Sequence, residues 1–274
     1  MNKIAKTIFF FLLVSAPVFS QSTGHRIDFT IAGLKDTVQF GYYWADREGL
    51  RLERKVGIEN LTNGTFSIQG TEPLKKGLYF VVIPNKGLLE LVINDDQFFS
   101  VIVDTSNLLK TQIQGNDENV FFYDYLSKTN PIQREIAKLQ SQIIILDSSE
   151  VTNKEKKKEK LIDQRHDKQK ELQTIRTSLF DAQPDYFVTK VLSALDPIVV
   201  PEMEEITDST ERIKARQFYY RTHFLDRIDF ADEGFVRTPI LKQKLEEYLT
   251  FFAPVHDTMI RVTDELIASV GNNL

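Results

Sequence analysis

The stretch RTHFLDRIDFADEGFVRTP, residues 221–239, concentrates side chains that can do chemistry. It places one histidine and four carboxylates within eleven residues, and these are His223, Asp226, Asp229, Asp232 and Glu233. On a helix, His223 and Asp226 share a face, and Asp229 lies near that face if the helix continues. An imidazole with two carboxylates can bind a divalent metal or act as an acid/base pair. His223, Asp226 and Asp229 are therefore the candidate metal or catalytic residues.

Local structure explains the same stretch without any chemistry, and this interpretation is favoured. The sequence DFADEG, residues 229–234, is typical of a helix that ends in a glycine-containing loop, where carboxylates cap the following turns. Arg227 and Arg237 supply the opposite charge. No HExxH or HxH motif and no second histidine lies nearby. We therefore expect no metal, no cofactor and no catalytic residue here.

A second candidate is a strip of aromatic residues in the first half of the chain, Tyr42, Tyr43 and Trp44. If these rings are exposed, they are suited to stacking on a carbohydrate or holding a peptide. Packing into a core is the more common fate of aromatic side chains on strands. Both interpretations are open at this point.

The composition excludes several classes of function. The 274-residue chain has no cysteine, which excludes thiol redox chemistry, cysteine nucleophiles and cysteine-ligated zinc. Its net charge of −5 is unlike the basic balance of proteins that bind nucleic acid or anionic membranes. Phosphate-binding loops, GxSxG elbows and Rossmann fingerprints are also absent from the sequence. These observations favour a protein that is not an enzyme and has no nucleic-acid partner.

The first twenty residues, MNKIAKTIFFFLLVSAPVFS, have the pattern of a secretory signal peptide. Lys3 and Lys6 precede an apolar run that is too short to span a bilayer, which takes about 20 residues. Small or β-branched residues stand three and one positions before Gln21, which predicts cleavage after Ser20. Because no cysteine follows, lipid attachment through a lipobox is excluded. We expect an exported protein of the periplasm or outer cell envelope, without a transmembrane segment after signal removal.

Residues 21–116 alternate apolar and polar side chains with the period of two that indicates half-buried strands. Turn sequences separate these runs, and among them Asn63-Gly64 suits a tight hairpin turn with positive φ at both residues. Seven or eight short strands at this spacing predict an antiparallel β-sandwich. The alternating apolar residues are Ile27, Phe29, Ile31, Val38, Phe40, Tyr42, Trp44, Phe66, Ile68, Leu89, Leu91, Ile93, Phe99, Val101 and Val103.

Residues 117–274 change to a helical period, so the chain is predicted to be α+β, with a β-sandwich followed by an all-α domain. Between 132 and 180, two seams with coiled-coil spacing predict an antiparallel helical hairpin. Shorter helices are predicted over 184–270, one of them with Thr238 as N-cap and Pro239 at its first position. The seam residues are Ile132, Ile136, Leu139, Ile143 and Leu146, then Leu161, Arg165, Lys168, Leu172, Ile175 and Leu179.

The order of these parts resembles a known family of exported proteins. The stretches FTIAGLKDTVQFGYYW, NGTFSIQGTEPLKKGLYFVVIPNKG, LELVINDDQFFSVIVD and IQGNDENVFFYDYL resemble the N-terminal domain of unknown function in Bacteroidetes thioredoxin-like proteins of the TlpA/ResA type. The stretch YYRTHFLDRIDFADEGFVRTPILKQKLEEYL is similar to the helical segment that follows this domain. In that family the segment leads into a thioredoxin fold with a Cys-x-x-Cys pair, which has no counterpart here.

The resemblance implies a non-catalytic module that positions, or selects partners for, a thiol-disulfide oxidoreductase domain. Its partner is then a separate protein, or a domain of the same polypeptide if the sequence is a fragment of a longer oxidoreductase. No catalytic residue is carried over. The alternative is an independent envelope protein that binds glycan or peptide, through the aromatic strip or through a groove beside the helices.

Overall fold

The computed structural model describes residues 24–56, 63–148, 153–251 and 256–270. Within these ranges the chain forms eight strands in two antiparallel-rich sheets, followed by six α-helices. The prediction of an α+β chain is confirmed at this level. The predicted signal peptide, residues 1–20, lies outside the described residues.

The first sheet has the strand order β4-β1-β7-β8. Its strands are β1 (His25–Ile31), β4 (Thr65–Gly70), β7 (Phe98–Val103) and β8 (Gln112–Gln114). One pairing differs from the antiparallel prediction, because β1 and β7 run parallel, with Ile27 opposite Phe99. Parallel neighbours need a long crossover connection. Here the crossover between β1 and β7 contains the whole second sheet.

The second sheet has the strand order β3-β2-β5-β6, and its pairs are antiparallel. Its strands are β2 (Val38–Tyr43), β3 (Leu50–Val56), β5 (Gly77–Ile83) and β6 (Gly87–Ile93). The central strand β5, GLYFVVI, is buried along almost its whole length. A strand covered on both faces needs no polar alternation, and this explains why the period of two did not reveal it.

The Asn63-Gly64 turn has the predicted conformation, with φ of 52° and 79°. The predicted hairpin around it is wrong, because β4 pairs with β1 in the first sheet whereas β3 belongs to the second sheet. Gly64 instead accepts the backbone N–H of Ile31 at 2.8 Å. The turn therefore belongs to a connection between the two sheets.

One buried hydrophobic cluster contains residues of both sheets and of the helical part of the chain. The alternating apolar residues of the strands are buried, except Tyr42 and Trp44, which are half-buried. Helical residues such as Phe122, Val188 and Phe235 lie in the same cluster. The segments around Phe122, Val188 and Phe235 are thus packed against the sheets.

In most places the helices lie where the sequence has a helical period. They are α1 (Asp117–Asp147), α2 (Lys154–Ala182), α3 (Phe187–Ser193), α4 (Ser209–Thr222), α5 (Pro239–Thr250) and α6 (His256–Val270), with 3-10 helices at Leu108–Lys110 and Glu233–Arg237. Thr238 caps α5 and Pro239 occupies its first position, as predicted. None of the described helices is both long and apolar enough to span a bilayer.

Helix α1 is longer than the predicted seam, because it begins at Asp117 and continues through Pro131. In the turn before the proline, Thr129 donates to the carbonyl of Tyr125 at 2.8 Å and Asn130 donates to that of Leu126 at 3.0 Å. The predicted seam positions of α1 and α2 are all buried or half-buried.

Candidate functional site

The structure does not assemble a metal site from His223, Asp226 and Asp229. Helix α4 ends one residue before His223, which is its C-cap, so no helix aligns the three side chains. The imidazole stacks on the Tyr219 ring at 3.8 Å, and its Nδ1 lies 2.8 Å from the Tyr219 carbonyl oxygen. Asp229 accepts the backbone N–H two residues further on at 2.9 Å. Within the ranges that the structure describes, no three His, Asp or Glu side chains form a group that could hold a metal.

His223 and Asp226 do line a common pocket of about 160 Å³, together with Asp196 and Arg227. Pockets that hold small organic ligands usually measure about 300–1000 Å³. The pocket is therefore too small for such a ligand, and the carboxylate of Asp196 that faces it is already paired with two guanidinium groups.

The acidic residues near the end of the stretch 221–239 connect the helical part of the chain to the second sheet. Asp232 caps the 3-10 helix by accepting the N–H of Gly234 at 2.9 Å, and its other oxygen lies 2.5 Å from the ammonium of Lys76. The buried Arg237 donates to the carbonyls of Lys76 and Glu233 at 3.2 and 3.1 Å. Because Lys76 directly precedes β5, these bonds hold the 3-10 helix at the start of that strand.

The aromatic strip is half-buried and its members already have partners. The hydroxyl of Tyr43 donates to the carboxylate of Glu90 at 2.5 Å, and burial, reinforced by the charge of Glu90, raises the pKa of Tyr43. Tyr42 contacts the ring of Trp44, over which the guanidinium of Arg237 lies at 5.5 Å. Tyr42 and Tyr43 point to opposite faces of β2, so the strip does not form one platform.

Sequence reasoning missed a buried ion-pair cluster that joins three helices. The guanidinium of Arg176 on α2 bonds Asp196 Oδ1 at 3.0 and 2.6 Å, and also the hydroxyl of Tyr125 on α1 and the Leu192 carbonyl on α3. Arg227 approaches the other oxygen of Asp196 at 3.1 Å. These partners satisfy both groups, so the cluster has a structural role. An arginine in the apolar context TIRTSLF was the available signal.

A cleft of about 1250 Å³ lies at one end of the sheets. Two loops line it, residues 71–76 between β4 and β5 and residues 94–97 between β6 and β7. Gly115 and Glu233 also line it, and the exposed ring of Phe98 stands at the start of β7. Sequence reasoning did not identify this site, because its walls come from segments that are distant in the chain.

Buried amide side chains fix the shape of both loops. Gln97 accepts the N–H of Leu74 at 2.7 Å and donates to the carbonyls of Leu74 and Asn94 at 2.9 and 2.8 Å. Asn116, the N-cap of α1, donates to the carbonyl of Asp96 at 2.7 Å. Gln97 and Asn116 are almost fully buried, so their bonds are shielded from water. Internal hydrogen bonds of the chain thus hold the two loops of the cleft in place before any partner binds.

The electrostatic balance of the cleft is negative. The acidic side chains that line it are Glu72, Asp95, Asp96 and Glu233, and the basic ones are Lys75 and Lys76. Lys76 is already paired with Asp232. At the same end of the molecule, the pKa of Tyr186 is raised. Burial is the main cause, and the negative charges of Asp117, Glu118 and Asp96 raise the pKa further. The cleft therefore favours positively charged groups.

Comparison with known proteins identifies no relative: no family model, no curated protein and no solved structure matches the chain. The resemblance to thioredoxin-like proteins of the TlpA/ResA type stays a prediction.

Proposed function

We propose that the protein is an exported, non-catalytic module that recognises a protein partner through the cleft between residues 71–76 and 94–97. The preformed shape of this cleft is the observation that carries the proposal. Binding sites are concentrated on loops that a rigid scaffold holds in place. Because Gln97 and Asn116 already hold these loops, little conformational entropy is lost when a partner binds.

In this proposal the two sheets form a β-sandwich over residues 21–116, and α1 and α2 form an antiparallel hairpin within a helical domain, residues 117–274. The single buried cluster shared by both sheets supports the sandwich. Contacts between α1 and α2 support the hairpin: Glu135 pairs with Lys168 at 2.9 Å, whereas Asp147, further along α1, pairs with the earlier Lys158 at 2.7 Å.

The partner we propose is a thioredoxin-like disulfide oxidoreductase of the TlpA/ResA type in the periplasm or outer envelope, or such a domain in the same polypeptide. The resemblance of the β-strand and helical stretches to that family supports this choice. The chain has no cysteine, so its contribution is to position the partner and not to transfer electrons. The intact mass of the native protein distinguishes a separate partner from an attached domain.

Site-specific photo-crosslinking in cells that encode the protein tests the proposal. Benzoylphenylalanine replaces Phe98 at the cleft, and in a control it replaces Phe218, which is 63% exposed on α4. We expect one crosslinked partner from position 98 and none from position 218. Mass spectrometry of that product then shows whether it contains a thioredoxin fold with Cys-x-x-Cys. Crosslinks from position 218 alone, or from neither position, contradict the proposal.

A second candidate function, glycan binding, is favoured by the exposed face of the first sheet. On this face Arg26 lies opposite Phe98, and its Nε bonds both oxygens of Asp28 at 3.0 Å. The hydroxyl of Ser67 also donates to Asp28. A flat polar surface beside an exposed aromatic ring is suited to a sugar ring. Saturable glycan binding that is lost in Phe98→Ala, with the fold intact, supports this function.

A further inference from the structure

We infer that the cleft binds an extended peptide segment that carries lysine or arginine side chains. This inference rests on the proposed partner-binding function and specifies the chemistry of the partner. It depends on three features of the cleft, namely its size, its charge and the ring of Phe98.

The size of the cleft favours an extended chain. Its volume of about 1250 Å³ exceeds the roughly 300–1000 Å³ that is usual for small-molecule pockets. Phe98 lines the cleft and also belongs to the outward-facing side chains of β7, which alternate with the buried Phe99 and Val101. The cleft therefore opens onto the exposed face of the first sheet. A segment several residues long fits this shape and can leave along that face.

The charges of the cleft select a cationic segment. Carboxylates predominate among the charged side chains that line it, and they are Glu72, Asp95, Asp96 and Glu233. Of the two lysines, Lys76 is neutralised by Asp232 at 2.5 Å, which leaves Lys75 as the lining cation without an ion pair among the described residues. Glu233 is partly matched by Arg237 at 3.6 Å, whereas Glu72, Asp95 and Asp96 are solvent-exposed. Like charges brought together at an interface cost affinity, so an acidic segment is disfavoured.

Phe98 supplies the apolar surface that a long basic side chain needs. Phe98 is 44% exposed, because it lies on the outer face of β7, whereas Phe99 and Val101 on the inner face are buried. The aliphatic part of lysine or arginine packs on such a ring, and the cation is attracted to the ring face. The neighbouring cation, Arg26, is paired with both oxygens of Asp28.

Binding of short peptides to the intact protein tests the inference. The probes are a fluorescent heptapeptide with three lysines alternating with alanines and the matching peptide with three glutamates, measured by anisotropy at low and high salt. The variant Asp95→Asn/Asp96→Asn removes two cleft charges. The control Glu155→Gln/Glu159→Gln removes two charges from exposed positions of α2. Unfolding followed by the fluorescence of Trp44, the single tryptophan, shows that each variant is folded.

We expect the lysine peptide to bind at least about fivefold more tightly than the glutamate peptide, and more weakly at high salt because salt screens the exposed charges. The cleft variant should lose most of this preference, and the control should keep it. The inference is overturned if both peptides bind equally, if neither binds, or if the two variants behave alike. A partner crosslinked at position 98 through a segment without basic residues overturns this inference alone and leaves the proposed function standing.

Discussion

The side chain of Asn119 bonds both polar groups of the Val92 backbone: its Oδ1 accepts the N–H at 2.8 Å and its Nδ2 donates to the carbonyl at 2.7 Å. Val92 lies on β6, an edge strand of the second sheet. One turn further along α1, the hydroxyl of Tyr123 donates to the carbonyl of Glu90 at 3.0 Å. The first turns of α1 thus take the place of a neighbouring strand and cover an edge that could otherwise pair with another chain.

We expect Asn119→Leu to lower the free energy of unfolding by about 2–5 kcal/mol, because each buried polar group left without a partner costs about 1–3 kcal/mol. Urea unfolding followed by Trp44 fluorescence measures this change. Ser141→Ala, at an exposed position of the same helix, is the control and should change the stability by less than about 0.5 kcal/mol. Equal stability of Asn119→Leu and the parent protein contradicts the proposed covering of the edge.

Removing the carboxylate of Asp196 should destabilise the protein strongly. Asp196→Ala leaves the guanidinium of Arg176 buried without its ionic partner, and this costs about 3–5 kcal/mol for a buried pair. The control is Glu202→Ala, which breaks a more exposed pair with Arg216 and should cost less than about 1 kcal/mol. Chemical unfolding measures the free energy of unfolding of both variants. If the two variants lose similar amounts of stability, burial of the Arg176 pair is unimportant.

Gln97→Ala should loosen the cleft more than the rest of the molecule. The substitution removes three bonds to the backbone of Leu74 and Asn94, and their buried polar groups lose their partners. We expect a loss of about 1–3 kcal/mol in stability and faster hydrogen exchange at the Leu74 amide. Gln112→Ala on β8 is the control, because Gln112 is exposed. Unchanged exchange at Leu74 contradicts the preformed cleft.

The turn after β2 should lose stability in acid. Asp46 accepts the N–H groups of Gly49 and Glu48 at 3.0 Å and pairs with Arg51, and these contacts, the hydrogen bond from Gly49 first, lower the pKa of Asp46 below its usual 3.8. Because the pKa is lower in the folded state, the stabilisation is present above 3.8 and is lost as the pH falls through the folded value.

The variant Asp46→Ala tests this pH dependence. It should be less stable than the parent protein at neutral pH, and the difference should shrink in strong acid, where the parent carboxyl is protonated. Urea unfolding at both pH values measures it. A difference that is the same at both pH values shows that the carboxylate charge does not contribute.

Local patterns predicted a large part of the fold. The period of two identified the inward residues of the strands, such as Phe29 and Val101, because one face of each strand is buried. The Thr238-Pro239 pair identified the start of α5, since capping depends on adjacent residues. The pattern failed at β5, which is covered on both faces, and before Pro131, because α1 continues through this residue although proline usually interrupts a helix.

The candidate sites could not be predicted in the same way. Tyr43 is half-buried and is held by Glu90, which is 47 residues away, so its packing has no local signature. The cleft depends on Gln97, which bonds a loop 23 residues earlier in the chain. The prediction that His223 and Asp226 share a helix face requires α4 to continue beyond Thr222, and α4 ends there. Contacts between distant segments decide these sites, and sequence spacing does not encode them.

The attachment of α1 to β6 has a mechanical consequence. From Tyr123, the second attachment point, the helix continues to Asp147, which at 1.5 Å per residue is a distance of roughly 36 Å. A rod of that length that tilts by about 5° at its base moves its far end by about 3 Å. If α1 and the α2 residues paired with it move as one rigid body about this attachment, α1 acts as a lever arm, and a small tilt at β6 becomes a larger displacement at the distant end.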